Sequence, residues 1–296
     1  MPTLNKRLQA ELSMIMVACI WGTTFVIVKN ALAEIGPFLF LGIRFTAAFV
    51  MLAILSFSNI KRLSWSTLGY GCLLGIFLLI GYTFQTVGLK YTTSSNAGFI
   101  TGISVVLVPI IYAVLKRSWP ELRTIITIIL ATMGLFLLSF QTNSFSLSYG
   151  DFLVLICAFG FAFHIVFVDR YSHHHNPVAI TGIQILFVGV ACLLIGINCE
   201  PWPQHFSANL VSAIFITSVF ATSLAFLLQN AMQKYSTPTR FAIVLTTEPI
   251  FAAIAGYFWA GEMLSKRAMA GAALILVSML VSILTRKVKN LVEANV

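Results

Sequence analysis

The sequence predicts an all-α integral membrane protein with ten transmembrane helices. Three observations lead there. Hydrophobic residues make up 59% of the 296 and charged residues only 9%, more apolar surface than a water-exposed domain of this size can hide. The apolar residues gather into ten runs, each close to the roughly 20 residues a helix needs to cross a bilayer core. The runs are continuously apolar rather than alternating, which excludes a closed barrel. Because lipid offers backbone groups no partners, each run must then be a helix.

In chain order the runs lie near 11–31, 37–57, 67–88, 92–115, 122–140, 150–168, 177–198, 208–229, 238–260 and 266–285. The first follows Lys6 and Arg7 and imitates a signal peptide. It is too long for an ordinary signal core and no A-x-A site follows, so it is read as a retained helix. The second carries Arg44 well inside it. The third holds the Gly71–Gly75 pair and the fourth the Gly98–Gly102 pair, spacings that predict close helix packing. The fifth carries Arg123 at its inner end, the sixth has His164 at its middle, and the seventh has Gln184. The eighth ends near Gln229. The ninth contains Glu248 before Pro249, and Pro249 frees the carbonyl of Leu245, predicting a kink. The tenth is rich in Gly and Ala. The turns between the runs leave no room for a soluble domain.

The net charge of +9 is a topology signal. With the N-terminus placed in the cytoplasm, Lys6, Arg7, Lys61, Arg62, Lys116, Arg117, Arg123, Arg170, Lys234, Arg240, Arg286, Lys287 and Lys289 fall on the inner side. Only Lys90, Lys266 and Arg267 fall outside, while Lys29 and Arg44 lie within helices. This bias predicts a multi-pass protein of a bacterial-type inner (cytoplasmic) membrane with both termini cytoplasmic, and some affinity for anionic lipid. Nucleic acid is excluded as a partner. Cys19, Cys72, Cys157, Cys192 and Cys199 show no CxxC spacing and read as small buried hydrophobes, not as disulfides or a metal site. The run His173–His175 reads as a solvated loop.

The chain repeats itself. Gln85, Lys90, Tyr91 and the hydroxyl pair Thr92–Thr93 recur 144 residues on as Gln229, Lys234, Tyr235 and Ser236–Thr237, and Ser118 pairs with Glu262 at the same offset. At an offset of 140, Trp21 pairs with Phe161, Lys29 with Asp169 and Arg44 with Gln184. The organisation is therefore two five-helix copies, 1–145 and 146–296. An odd number of crossings per copy forces the second to enter from the opposite face, relating the halves by an axis in the membrane plane, as in many secondary transporters.

Three stretches also carry a family resemblance: WGTTFVIVK (Trp21–Lys29), LKYTTSSNAGFITG (Leu89–Gly102) and TTEPIFAAIAGYFWAGEMLSKRAMAGAALILVSML (Thr246–Leu280). The chain resembles, over its whole length, the EamA-type transporters of the drug/metabolite transporter superfamily. That resemblance implies ten helices, cytoplasmic termini, a central cavity and export of small metabolites, often amino acids. Ser118 departs from the acidic residue often found at its position.

Ionisable and polar groups inside the membrane are the candidate site, because each is costly unless it faces protein or water. Lys29 either attracts a substrate carboxylate or snorkels to the headgroups, with Glu34 nearby. Arg44 either binds an anionic group or locks the bundle. Trp21 and Thr24, with Gly22 and Thr23 between them, offer an aromatic wall and hydroxyls, or simply pack. Tyr82, Gln85 and Gln229 need polar partners and so face the interior. Asn96, Thr101 and Ser104 match a second polar stripe at Thr246, Thr247 and Glu248. Glu248, beside the Pro249 kink and gate, is the candidate for proton coupling. His164 is either a relay or substrate contact, or a satisfied packing group.

The reading that gathers these is a secondary carrier of small organic solutes working by alternating access, most readily an exporter of amino acids. Its partners are a small-molecule substrate, the lipid bilayer and, as one option, protons, in a monomer or homodimer. No cofactor, metal or catalytic set is predicted: G-x-x-x-x-G-K-[ST], GxSxG and HExxH are all absent. The alternatives are uptake or exchange of a nucleotide-like metabolite, drug efflux, or, in another class, an intramembrane enzyme or a non-transporting scaffold.

Overall fold

A computed structural model describes residues 4–55, 64–139, 148–171, 175–260 and 265–293. Lys61, Arg62, His173, His174, Glu262 and the boundary between residues 145 and 146 lie outside the described residues. The helices are α1 (Leu4–Ala31), α2 (Pro37–Leu55), α3 (Trp65–Leu89), α4 (Ser94–Gly102), α5 (Ser104–Lys116), α6 (Leu122–Ser139), α7 (Tyr149–Tyr171), α8 (Pro177–Cys199), α9 (Ala208–Ile216), α10 (Ala225–Met232), α11 (Pro238–Leu245), α12 (Glu248–Ala260) and α13 (Lys266–Glu293). They form ten apolar spans. Nine are long enough to cross a bilayer among the described residues, and the other, Leu122–Leu138, is slightly shorter. Three spans outrun their predicted ends: α1 starts at Leu4, α13 reaches Glu293, and the eighth span continues to Tyr235.

Local signals start these helices. The Ser64 hydroxyl accepts from Thr67 N–H, Asn176 from Val178 and Ala179 N–H ahead of Pro177, and Ser207 from Leu210 N–H, so that each side chain satisfies orphan donors of a first turn. The hydroxyl that recurs between the copies has the same task in each. Thr93 caps α4 through Asn96 N–H and Thr237 caps α11 through Arg240 N–H.

Packing of equivalent helices displays the inversion. Along α2 and α8, the second span of each copy, the face of Gly42 meets Leu193, Gly189 meets Thr46 and Gly196 meets Leu39. Numbers rise on one helix as they fall on the other, so the pair is antiparallel. The fifth spans do the same: Gly134 sits against Gly271, and Ser278 Oγ donates to Thr127 O at 2.7 Å. Equivalent helices that run in opposite directions define two inverted five-helix repeats. An even number of crossings places both chain ends on one side of the membrane, called here the near face.

Two spans are broken at equivalent points. The fourth is interrupted at Ile103, between α4 and α5, and the ninth at Thr246–Thr247, between α11 and α12. Ile103 and Thr247 are 144 residues apart. The predicted Pro249 kink accounts for only the second break, since Val105 stands at the equivalent place. The eighth span contains a π-helical stretch, Thr217–Leu224, between α9 and α10. Two large apolar clusters form the packed interior. One is centred on Leu39, Phe45, Leu78 and Val188, the other on Met14, Val108, Phe241 and Ile275, and Trp21 touches both.

Candidate functional site: a cavity between the halves

The broken spans leave a cavity whose empty space, open mouth included, is about 900 Å³. Its walls come in repeat-related pairs. At the 140 offset they are Trp21 with Phe161, Thr24 with His164 and Phe25 with Ile165. At the 144 offset they are Tyr82 with Phe226, Gln85 with Gln229, Gly98 with Ala242, Thr101 with Leu245, Gly102 with Thr246, and Ser104 with Glu248. A space lined by both members of nine pairs must straddle the pseudo-two-fold axis. Arg44 and Pro249 complete the candidates that line it.

Three sequence-predicted residues lie elsewhere. Lys29 is exposed, and its ammonium donates to Thr92 O at 3.1 Å. Asn96 is in the first turn of α4, with its N–H on Thr93. Thr247 is buried and donates to Val244 O at 2.8 Å, holding the end of α11. The glycine pairs also divide. Gly71 and Gly75 abut Ile183 and Phe187 of α8, as close packing requires, but Gly98 has open space where a side chain would be and widens the cavity.

One wall is cationic. Arg44 is 3% exposed. Its Nε donates to Thr222 Oγ1 at 2.8 Å and its Nη2 to Ala221 O at 3.4 Å. Its guanidinium carbon lies 5.1 Å from the centre of the Tyr82 ring and 5.4 Å from that of Phe45. Among the described residues it makes no ion pair. A buried charge without a counter-ion costs several kcal/mol, about what removing one partner of a buried pair costs. Trp21 Nε1 donates to the same Ala221 carbonyl at 2.8 Å. That oxygen lies in the π-helical stretch, where the backbone register departs from the i to i−4 ladder and leaves carbonyls for other donors.

A second wall is amide and imidazole. His164 is 1% exposed and sits between two glutamines. Gln184 Oε1 is 2.8 Å from His164 Nε2, and Gln229 Nε2 is 3.5 Å from Nδ1. The set fits a neutral ring whose Nε2–H donates to Gln184 and whose Nδ1 accepts from Gln229, the tautomer being assigned from this network. Gln184 Nε2 and Gln229 Oε1 are buried without partners. In the other half Gln85 Nε2 donates to Thr101 Oγ1 at 3.1 Å, with Cys157 Sγ 3.8 Å beyond.

Glu248 is the acidic wall. It is half-buried on the cavity at the start of α12 and has no hydrogen-bond or ion-pair partner among the described residues. Aromatic rings line the same cavity. Phe226 lies 5.5 Å from Trp21, 5.9 Å from Tyr82 and 5.9 Å from His164, and Tyr82 meets Phe161 edge-on at 5.2 Å. Phe226, Phe25 and Phe161 were not distinguishable among 25 phenylalanines by composition. The repeat was the available signal, since Phe226 stands where Tyr82 does in the other copy. No group of His, Cys, Asp and Glu able to hold a metal occurs among the described residues.

A polytopic helical protein built from two inverted repeats around a polar, aromatic-walled cavity is of the transporter class, and the comparisons agree. The model of the EamA-like transporter family matches residues 8–140 and again 148–284; the chain belongs to that family. It is 34% identical over 277 residues to a protein of Archaeoglobus fulgidus named an uncharacterized transporter, covering 93% of this chain and 86% of that one. It is 27% identical to the uncharacterized transporter YvbV of Bacillus subtilis, over 87% and 86% of the two chains. A chloroplastic WAT1-related protein of Arabidopsis thaliana is 26% identical, over 87% of this chain and 65% of its own. A crystal structure with 16% sequence identity superposes with a TM-score of 0.80, covering 95% of this chain and 99% of the other, and shares the fold.

Proposed function

We propose that this membrane transporter is a secondary carrier that moves small organic solutes by alternating access, amino acids and related compounds first, in the direction of export. In this reading the membrane is a bacterial-type inner membrane and the near face, with both termini, is cytoplasmic. The observation that carries the substrate class is the pairing of Arg44 and Glu248. They are opposite charges without counter-ions among the described residues, on one cavity that aromatic side chains also line. A zwitterion supplies both missing partners. Its carboxylate meets the free N–H groups of Arg44, its ammonium meets Glu248, and its side chain lies among Trp21, Tyr82, Phe161 and Phe226. A charge-assisted hydrogen bond at each end offsets the desolvation that a lone buried charge suffers.

Glu248 has a second role when no solute is bound. A carboxylate inside a membrane is cheaper protonated, so a proton takes the place of the solute's ammonium. That exchange couples solute movement to the proton gradient. One cation suits a single carboxylate better than the clustered charge of a nucleotide phosphate, which places nucleotide-like solutes and bulky drugs behind amino acids.

The test is ligand-induced stabilisation of the detergent-purified protein by L-phenylalanine, by its amide, which lacks the carboxylate, and by phenylpropionate, which lacks the ammonium. Stabilisation by the amino acid well above either truncated compound is the expected result. Equal responses to all three would reject the zwitterion.

A further inference from the structure

The cavity is not fully symmetric, and the asymmetry is informative. Besides Arg44 and Pro249, three lining residues lack their repeat mates: Val28, Thr86 and Leu89. All three lie toward the far ends of α1 and α3, away from the chain termini. Their equivalents are Val168, Asn230 and Gln233. Each of these is 0% exposed, and none borders the cavity. The cavity therefore extends further toward the far face than toward the near face. In an inverted-repeat carrier the opposite-facing state is obtained when the two halves exchange conformations. That exchange brings Asn230 and Gln233 onto the solute path.

Their hydrogen bonding supports the same conclusion independently. Asn230 Nδ2 donates to Phe226 O at 2.8 Å and to Thr181 Oγ1 at 3.1 Å, and Gln233 Nε2 donates to Ile165 O. Both amide oxygens, Asn230 Oδ1 and Gln233 Oε1, are buried without any partner. An orphaned buried acceptor costs about 1–3 kcal/mol, and an apolar side chain would avoid that cost at a position buried in every state.

The ends of the bundle differ in the same sense. On the near face Glu11 Oε1 is 3.4 Å from Arg240 Nη1, and Arg240 also donates to Ser282 O and Ile283 O, tying α1, α11 and α13 together. The repeat equivalents are Asp151 and Asn96. Asp151 accepts instead from Thr92 Oγ1 and Ser148 N–H, and Asn96 makes no bond to it. The near face is latched by an ion pair, whereas the far face is tied through Thr92, which donates to Asp151 and accepts from Lys29.

We infer that Asn230 and Gln233 form a near-face subsite of the solute path, closed in this conformation, whose amide oxygens accept from the ammonium or other N–H and O–H donors of the departing solute. This rests on the alternating-access reading above. The test uses the full chain with its native cysteines replaced by serine or alanine, carrying Thr86→Cys, Asn230→Cys or Gln233→Cys. A membrane-impermeant methanethiosulfonate is applied to right-side-out and to inverted vesicles. Thr86→Cys should react from one face, and Asn230→Cys and Gln233→Cys from the other. Adding Glu11→Gln should speed the Asn230→Cys reaction roughly fivefold to tenfold and slow that of Thr86→Cys, because weakening the latch shifts the population. Use of two near-face positions guards against one variant failing to fold. Reaction of Asn230→Cys and Gln233→Cys from the same face as Thr86→Cys would overturn the assignment. So would unreactive near-face positions in a protein that still exchanges a labelled L-amino acid mixture. Absence of such exchange in the wild-type chain would instead reject the carrier reading on which the assignment rests.

Discussion

Trp21 and Arg44, from the first and second spans, donate to a single backbone oxygen, that of Ala221 in the eighth. The π-helical stretch Thr217–Leu224 makes this convergence possible. The same stretch supplies Thr222 Oγ1 to Arg44 and ties Ser223 Oγ to Ala48 O of α2 at 3.0 Å. Arg44 is thus anchored to the eighth span where it lines the cavity. Thr222→Val keeps the shape but removes the acceptor of the 2.8 Å bond. Loss of a hydrogen bond to a charged group is worth about 1.5–3 kcal/mol, so the affinity for L-phenylalanine should fall by tenfold or more while that for phenylalaninamide changes little. Thr222→Ser should restore it. Isothermal titration of wild type and both variants with each ligand, six combinations, checks this.

Trp21→Phe preserves an aromatic wall but leaves Arg44, at the longer distance, as the side-chain donor to Ala221 O. Transport of labelled solute should fall severalfold with membrane protein levels unchanged, and Trp21→Ala should be worse because the contact with Phe226 is lost too. Uptake assays normalised to immunoblots measure both. Normal kinetics for either variant would make Trp21 a packing residue.

Glu248→Gln removes the one carboxylate that lines the cavity among the described residues. The rate of solute movement across a pH series should become flat, whereas the wild type should vary with pH. A pH profile retained by Glu248→Gln would assign coupling elsewhere.

Gly22 brings α1 against α12. A side chain there would collide with the Glu248 carbonyl oxygen and Phe251 Cβ. Overpacking of this kind typically costs about 1–3 kcal/mol, so Gly22→Ala should lower the detergent melting temperature measurably. Gly69→Ala, where nothing lies within 4 Å, should leave it unchanged.

The architecture was largely legible in the sequence because a membrane leaves few choices. Apolar runs of the right length specify helices, and the Gln85–Tyr91 echo at Gln229–Tyr235 specifies the duplication. What escaped was the irregular backbone. No residue marks the break at Ile103, since Val105 and Pro109 do not place it, and nothing in TSVFATSL announces a π-helix. Its carbonyl orients both Trp21 and Arg44, so the second-half contribution of Ala221 and Thr222 to the cavity could not be read beforehand. Candidates chosen for polarity alone included Lys29 and Thr247, because a hydropathy pattern does not say on which side of a helix a polar group finds its partner. The repeat offers a better guide: once Tyr82, Thr24 and Ser104 are candidates, Phe226, His164 and Glu248 follow by symmetry.

The central claim is a carrier whose two halves alternately expose one cavity. It is tested most directly by counterflow in proteoliposomes loaded with an unlabelled L-amino acid mixture and diluted into the labelled mixture. Transient accumulation of label above its equilibrium level, abolished in Arg44→Gln, is the predicted result. Label that only equilibrates, at the same rate with or without internal amino acid, would contradict it.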